Sequence, residues 1–250
     1  MSGSPVETSG WIRRFHPAPA APVRLVCFPH AGGSASYYFP VSKALSSVAD
    51  VQVLQYPGRQ DRLAVPFTES MDELADTVTA VLRQRPDLPL ALFGHSMGAT
   101  LAFEVAARLE REGVDLLGFF ASGRRAPASV VDEQVHSASD AQLISHVKKL
   151  SGNNALDDPD IADMVLPAIR SDYRSTETYR YRPGTRLTCP LYALTGDNDP
   201  QVSPVEAREW GEYTTGPFEM EVFEGGHFFF DTAPREPLDY MARRLADLAA

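Results

Sequence analysis

The chain of 250 residues contains little cysteine and little lysine, and it has no long apolar run. The cysteines, Cys27 and Cys189, lie in separate apolar segments. This predicts buried thiols rather than a disulfide and favours a reducing cytoplasm. No segment approaches the roughly 20 apolar residues of a membrane-spanning helix, so the sequence predicts no membrane association. The first residues also lack the charged and apolar regions of a secretory signal.

The charge balance excludes another class of function. The formal net charge is −10 and the predicted pI is near 5.1. A general nucleic-acid binder needs a basic face, so none is predicted here. The histidines and cysteines show no metal-ligand spacing, and no glycine-rich phosphate loop is present. The sequence therefore predicts neither a metal nor a nucleotide cofactor.

The pattern of apolar segments predicts one α/β domain over residues 23–250, preceded by a flexible lead-in over residues 1–22. Strand-like runs alternate with helix-like runs, and the strands are almost continuously apolar. That pattern is typical of a parallel sheet covered by helices on both faces. The strand-like segments are VRLVCFPH, VQVLQYPG, PLALFGH, DLLGFFASG, PLYALTGD and MEVFEGGH.

Residues 126–181 break the alternation with a helical insertion. Ser139 and Gln142 form a capping-box pattern, and a second helix starts with Asp158 as N-cap before Pro159. Pro167 within that helix predicts a kink. Because an insertion after a sheet strand lies where such sheets bind ligands, we predict a lid. An ordinary pair of packing helices is the alternative.

The motif Gly94-His95-Ser96-Met97-Gly98 lies between a predicted strand and a predicted helix. G-x-S-x-G in that context displays a nucleophilic serine on a strained turn, so Ser96 is the candidate nucleophile. A tight turn that needs glycines for its geometry is the alternative. One oxyanion donor would be the N–H of Met97, directly after the nucleophile. The second would be the N–H of Ala31, in the glycine-rich loop after the first strand.

A base and an orienting acid are expected in later loops. His227 follows a late strand and a Gly-Gly pair, whereas the side chain of His95 should diverge from Ser96 at the turn. Asp199 is preferred over Asp197 as the acid, because the turn before Pro200 could direct it at the histidine. The order serine, aspartate, histidine is that of α/β-hydrolases.

Taken together, the motifs CFPHAGGSASYY, YPGRQDR, FGHSMGATLAFEVA, TGDNDP and FEGGHFFF, in this order, resemble the type II thioesterases of polyketide and non-ribosomal peptide synthesis. The resemblance spans nearly the whole chain. It implies an α/β-hydrolase fold with a helical lid over an acyl channel. It also implies hydrolysis of acyl chains from the phosphopantetheine arm of acyl or peptidyl carrier proteins.

Carried onto this chain, the resemblance implies Ser96 as nucleophile, His227 as base and Asp199 as acid, with oxyanion donors Ala31 and Met97. It implies no cofactor, because the phosphopantetheine belongs to the substrate. The expected partners are carrier-protein domains, bound transiently by a monomer.

Several alternatives remain open at this stage. A medium-chain thioesterase of fatty-acid synthesis or a small-molecule carboxylesterase would use the same residues. Carrier proteins are acidic, so an acidic enzyme needs a local basic patch, for which the sequence offers two pairs of arginines. Pocket length should depend on how the side chains of the insertion pack. The arginines are Arg59, Arg62, Arg124 and Arg125, and the side chains of the insertion are Leu143, Val147 and Met164.

Overall fold

The computed structural model describes residues 10–68, 70–84, 89–129, 133–152 and 154–250. At its centre is a seven-stranded sheet with the order β1-β3-β2-β4-β5-β6-β7. All neighbouring pairs run parallel except β1 with β3. The strands are Ile12–Arg13 (β1), Val23–Phe28 (β2), Ala49–Leu54 (β3), Leu90–His95 (β4), Leu116–Ser122 (β5), Leu191–Gly196 (β6) and Phe218–Phe223 (β7).

Helices cover both faces of this sheet. They are Phe39–Leu45 (α1), Met71–Arg83 (α2), Met97–Arg111 (α3), Asp140–Ser151 (α4), Pro159–Glu177 (α5), Pro204–Arg208 (α6), Phe229–Thr232 (α7) and Arg235–Leu248 (α8). One buried apolar cluster joins α2 and α3 to the sheet, and a second joins α1 and α8 to it. The predicted α/β architecture is therefore confirmed. Cys27 and Cys189 are free and buried, as expected.

The N-terminal segment differs from the predicted lead-in. Ile12 and Arg13 pair with Leu54 and Val53 as an antiparallel edge strand, and Trp11 is only 5% exposed. Residues 10–13 are thus part of the domain. A strand of two residues shows no alternation of apolar and polar side chains, so the sequence pattern gave no signal for it.

The predicted helical insertion is present between β5 and β6. The capping box of Ser139 and Gln142 and the Asp158 N-cap are confirmed, and α5 continues as one helix through Pro167. The helices α4 and α5 share a small apolar cluster that is separate from the two cores of the sheet. Among the helices formed by the described residues, none is long and apolar enough to cross a membrane.

Candidate active site

Ser96 occupies the sharp turn between β4 and α3. Its backbone has φ 56° and ψ −122°, a conformation that costs a non-glycine residue on the order of 1–3 kcal/mol. The Ser96 N–H donates a hydrogen bond of 2.8 Å to Ser122 O at the end of β5. This strained turn places the serine side chain on the wall of a cavity, at the N-terminus of a 15-residue helix.

The two glycines of the motif are required by close packing. A Cβ on Gly98 would lie 2.0 Å from Phe28 O, and one on Gly94 would lie 2.2 Å from Gly98 O. The helix α3 can approach β2 and β4 only if both positions lack a side chain. The turn needs these glycines for its geometry, and the same turn displays Ser96. The two interpretations of the motif, a tight turn and a nucleophile, are therefore compatible.

His227 and Asp199 lie against each other in the loops after β7 and β6. His227 Nδ1 is 2.9 Å from Asp199 Oδ2 and 3.1 Å from Oδ1, and both side chains are almost fully buried. The Gln201 N–H also donates to Asp199, at 2.8 Å. With its Nδ1 hydrogen held by the carboxylate, His227 has Nε2 left as an acceptor. Ser96 and His227 both line one cavity.

Asp197 has a different environment. Its Oδ1 accepts the Gly225 N–H at 2.9 Å and a hydrogen from the Asn198 amide at 2.9 Å, and the side chain is exposed. Asp197 thus closes the loop that carries His227, whereas Asp199 contacts the imidazole. The hydrogen-bond partners of the two acids of TGDNDP therefore distinguish them, since only Asp199 contacts His227.

The loop after β2 presents its backbone N–H groups in different directions. The Gly33 N–H donates to His30 O at 2.9 Å, and the Gly32 N–H donates to Asp172 Oδ2 at 2.7 Å. The Ala31 N–H has no acceptor among the residues that the structure describes. Met97 is the first residue of α3, where backbone N–H groups lack a partner within the helix. Ala31, Met97 and Ser96 line a common cavity.

Two further histidines, His95 and His30, lie near His227. The sequence did not indicate this cluster. The ring centroid of His95 lies 5.0 Å from that of His227 and 6.0 Å from that of His30. His95 Nδ1 hydrogen-bonds to Ser122 Oγ at 2.9 Å. Burial, with the charges of His227 and His30, holds the pKa of His95 well below its usual value. Burial lowers the pKa of His30 to about 3, with His227 and Arg59 adding to the effect.

Two cavities with different linings meet at Ser96. The first has a volume of about 270 Å³ and is walled by apolar side chains of the insertion, among them Val147, Leu156, Val165 and Ile169. The second is smaller, about 60 Å³, and includes Arg124, Arg125, Glu133 and Gln201. Ser96 and Ala31 belong to both walls.

The side chains expected to set the pocket length have different positions. Val147 lines the larger cavity, as expected. Leu143 is fully buried in the cluster between α4 and α5, and Met164 is 57% exposed. Met164 faces outward because the inner face of α5 is formed by Leu166 and Ile169, which are buried in that cluster.

The arginines expected to form a basic patch are mostly held by other contacts. Arg59 is 6% exposed and pairs with Asp172, so its assignment to a docking surface is wrong. The Arg62 guanidinium lies 4.1 Å from the centre of the Trp11 ring. Arg124 Nε donates to Thr100 Oγ1, and Arg125 pairs with Glu206 at 2.8 Å. Arg124 and Arg125 both line the small cavity beside Ser96.

No group of three or more histidine, cysteine, aspartate or glutamate side chains in the described ranges could hold a metal ion. That the protein needs no cofactor stays a prediction from the sequence.

Comparison with known proteins shows which family the chain belongs to. Residues 23–243 match the thioesterase family, described as a thioesterase domain. The probable cadicidin biosynthesis thioesterase of Streptomyces griseus is 50% identical over 233 residues, which cover 90% of this chain and 64% of that protein. The chain thus spans less than two thirds of that relative. Thioesterase PikA5 of Streptomyces venezuelae is 48% identical over 230 residues, covering 90% of this chain and 82% of PikA5.

A solved structure agrees with these relatives. The type II thioesterase BorB from the borrelidin biosynthetic cluster superposes with a TM-score of 0.88 at 50% identity, covering 95% of this chain and 98% of BorB. The resemblance found in the sequence motifs is confirmed, and the fold is that of the α/β-hydrolase thioesterases. The chain belongs to the thioesterase family.

Proposed function

We propose that this chain is a type II thioesterase. It hydrolyses acyl thioesters from the phosphopantetheine arm of acyl or peptidyl carrier proteins in polyketide or non-ribosomal peptide synthesis. The observation that carries the proposal is the meeting of two cavities at Ser96: the smaller includes the charged side chains of Arg124, Arg125 and Glu133, and the larger is walled by apolar side chains of the insertion. A carrier-bound acyl thioester has a polar amide-containing arm on one side of its carbonyl and an apolar chain on the other. Two relatives support this class of activity, because PikA5 is a thioesterase and BorB is a type II thioesterase from the borrelidin biosynthetic cluster.

In the proposed mechanism, Ser96 Oγ attacks the thioester carbonyl while His227 Nε2 takes its proton. This transfer requires the two groups to come within hydrogen-bond distance in the substrate complex. Asp199 orients the imidazole and stabilises its charged form. The Ala31 and Met97 N–H groups donate to the oxyanion. The thiol leaves with a proton from His227, and water then hydrolyses the acyl-enzyme with the same base. No step requires a cofactor.

We also propose that the insertion over residues 126–181 is a lid. Its helices α4 and α5 wall the apolar cavity, and their small cluster of buried side chains is separate from the cores of the sheet. Such a separate cluster supports movement of α4 and the first turns of α5 without exposure of the main cores, while Asp172 near the end of α5 contacts the loop after β2. In this proposal, the partner is a carrier protein that docks transiently on a monomer in the cytoplasm.

The test is hydrolysis of a carrier protein loaded with acyl-phosphopantetheine, followed by the mass of the carrier. We expect turnover by the wild type and its loss in Ser96→Ala. Ser46→Ala, a change at a serine after α1, should keep wild-type turnover. A matched oxygen ester of the same acyl group should react more slowly. Turnover by Ser96→Ala, or a preference for the oxygen ester, would contradict the proposal.

A further inference from the structure

The helix α5 contacts the loop that carries Ala31. Asp172, on the fourth turn of α5, accepts the Gly32 N–H through Oδ2 at 2.7 Å. The carboxylate side chain is only 8% exposed. A side chain of the insertion therefore hydrogen-bonds to the residue that follows the proposed oxyanion donor.

Arg59 compensates the charge of this buried carboxylate. Its guanidinium donates to the same Oδ2 atom and, through its other terminal nitrogen, to Pro57 O at 2.5 Å. The Arg59 side chain is 6% exposed. A buried carboxylate requires hydrogen-bond partners, and the Arg59 guanidinium and the Gly32 N–H both supply them at Oδ2.

Ile169 holds the same loop by packing. It precedes Asp172 by three residues, which places both on one face of α5. Gly32 has φ +74°, and a Cβ there would lie 2.6 Å from Ile169 Cγ1. Gly32 is therefore held against one face of α5, both by van der Waals contact with Ile169 and by a hydrogen bond to a charged group.

These contacts determine where the next N–H points. The Gly32 N–H is directed toward α5 and the Gly33 N–H toward His30 O, while Ala31, whose N–H has no acceptor among the described residues, lines the cavity beside Ser96. We propose that Asp172 is a positioning residue: by holding the Gly32 N–H, it fixes the Ala31–Gly32 peptide, and this restrains the backbone of Ala31, whose own N–H in the preceding peptide donates to the oxyanion. This inference depends on the proposed function, in which Ala31 is an oxyanion donor.

Two double variants isolate the hydrogen bond from the charge. Arg59→Met/Asp172→Asn removes both charges but keeps a carbonyl oxygen that can accept the Gly32 N–H. Arg59→Met/Asp172→Leu is of similar size and has no acceptor. Asp163→Leu changes an exposed carboxylate on the same helix and is the control for substitutions on α5.

We expect kcat of the leucine variant to be about 10²-fold lower than that of the asparagine variant, the effect of one lost oxyanion donor. The KM values should stay within a few-fold of each other. Affinity for an alkyl boronic acid, which forms a tetrahedral adduct with an active serine, should fall in parallel with kcat. Amide hydrogen exchange at Gly32 should be faster in the leucine variant. Asp163→Leu should match the wild type.

Equal kcat and equal boronic acid affinity in the two double variants would overturn the role of Asp172. Failure of the proposed function is distinguishable, because wild-type protein would then leave carrier-bound thioesters intact, whereas the boronic acid comparison could still be made. Thermal unfolding shows whether both variants are folded. If the leucine variant does not fold, Arg59→Met/Asp172→Ala replaces it in the same comparison.

Discussion

The imidazole of His227 lies against the carboxylate of Asp199, with Nδ1 2.9 Å from Oδ2, whereas Asp197 two residues earlier accepts the Gly225 N–H. This arrangement predicts different consequences for two equivalent substitutions. Asp199→Asn should lower kcat by on the order of 10³–10⁴, because an amide can donate to Nδ1 and favour the wrong tautomer. Asp197→Asn should keep kcat within a few-fold.

Steady-state hydrolysis of one acyl thioester by both variants measures this difference. Circular dichroism and thermal unfolding serve as controls, since Asp197 also stabilises the loop that carries His227. Full activity of Asp199→Asn together with loss in Asp197→Asn would reverse the assignment of the acid.

Ser96 and His227 could be selected as candidates from the sequence because each lies in a short motif next to a predicted strand. A strand, a glycine-flanked turn and a helix follow one another directly around Ser96. The chain order of α/β-hydrolases then indicates that the acid and the histidine follow the serine in later loops. The choice between Asp197 and Asp199 depended on the direction of one turn. Hydrogen bonds within the turn determine that direction, and the sequence could only favour one acid over the other.

The contacts between distant segments could not be predicted in this way. Arg59 and Asp172 are 113 residues apart in the chain, and Asp172 stands in no motif. A single sequence shows neither that an arginine of YPGRQDR is buried nor which carboxylate neutralises it. The cluster of His30, His95 and His227 likewise arises only when the ends of β2, β4 and β7 meet at one edge of the sheet.

The histidine cluster predicts how stability depends on pH. The folded chain holds His30 neutral with a pKa of about 3, whereas an unfolded histidine has a pKa near 6.5. Between these values the unfolded state binds the extra proton. The free energy of unfolding should therefore fall as pH decreases from about 6.5 toward 3, by up to about 1.4 kcal/mol per pH unit for each such histidine. His95, whose pKa is also lowered, acts in the same direction.

Urea unfolding at a series of pH values tests this expectation. His30→Gln should make the dependence shallower in the range from about pH 6 to 4, because one buried neutral imidazole is removed. His16→Gln, at a histidine outside the cluster, is the matched control. An unchanged slope in His30→Gln would show that other groups control the acid sensitivity.

The close approach of α3 to β2 predicts a large effect of a single methyl group. Gly98→Ala places a Cβ 2.0 Å from Phe28 O, and a backbone atom of a central strand has little room to move. The free energy of unfolding should fall by about 3 kcal/mol, the upper end for overpacking. Gly113→Ala is the control, because Gly113 has φ +81° but no atom within 4 Å of the added Cβ. Its cost should be only about 1 kcal/mol of backbone strain.

Urea unfolding of the two variants makes the comparison quantitative. Activity per folded molecule in Gly98→Ala should also fall, since any displacement of α3 moves the Met97 N–H. Equal destabilisation by both substitutions would show that packing at the turn matters less than glycine conformation.

The apolar cavity predicts a change in chain-length preference. Val165 on α5 lines this cavity of about 270 Å³, whereas its neighbour Met164 is 57% exposed. Val165→Phe should occupy part of the space that an acyl chain would fill. We expect kcat/KM for a decanoyl thioester to fall at least ~10-fold, since a few buried methylenes contribute about 0.8 kcal/mol each. A propionyl thioester should be hydrolysed at nearly the wild-type rate.

Met164→Phe adds similar bulk outside the cavity and should leave both values unchanged. The ratio of decanoyl to propionyl kcat/KM is the measurement, and an equal ratio in Val165→Phe and Met164→Phe would place the acyl chain elsewhere.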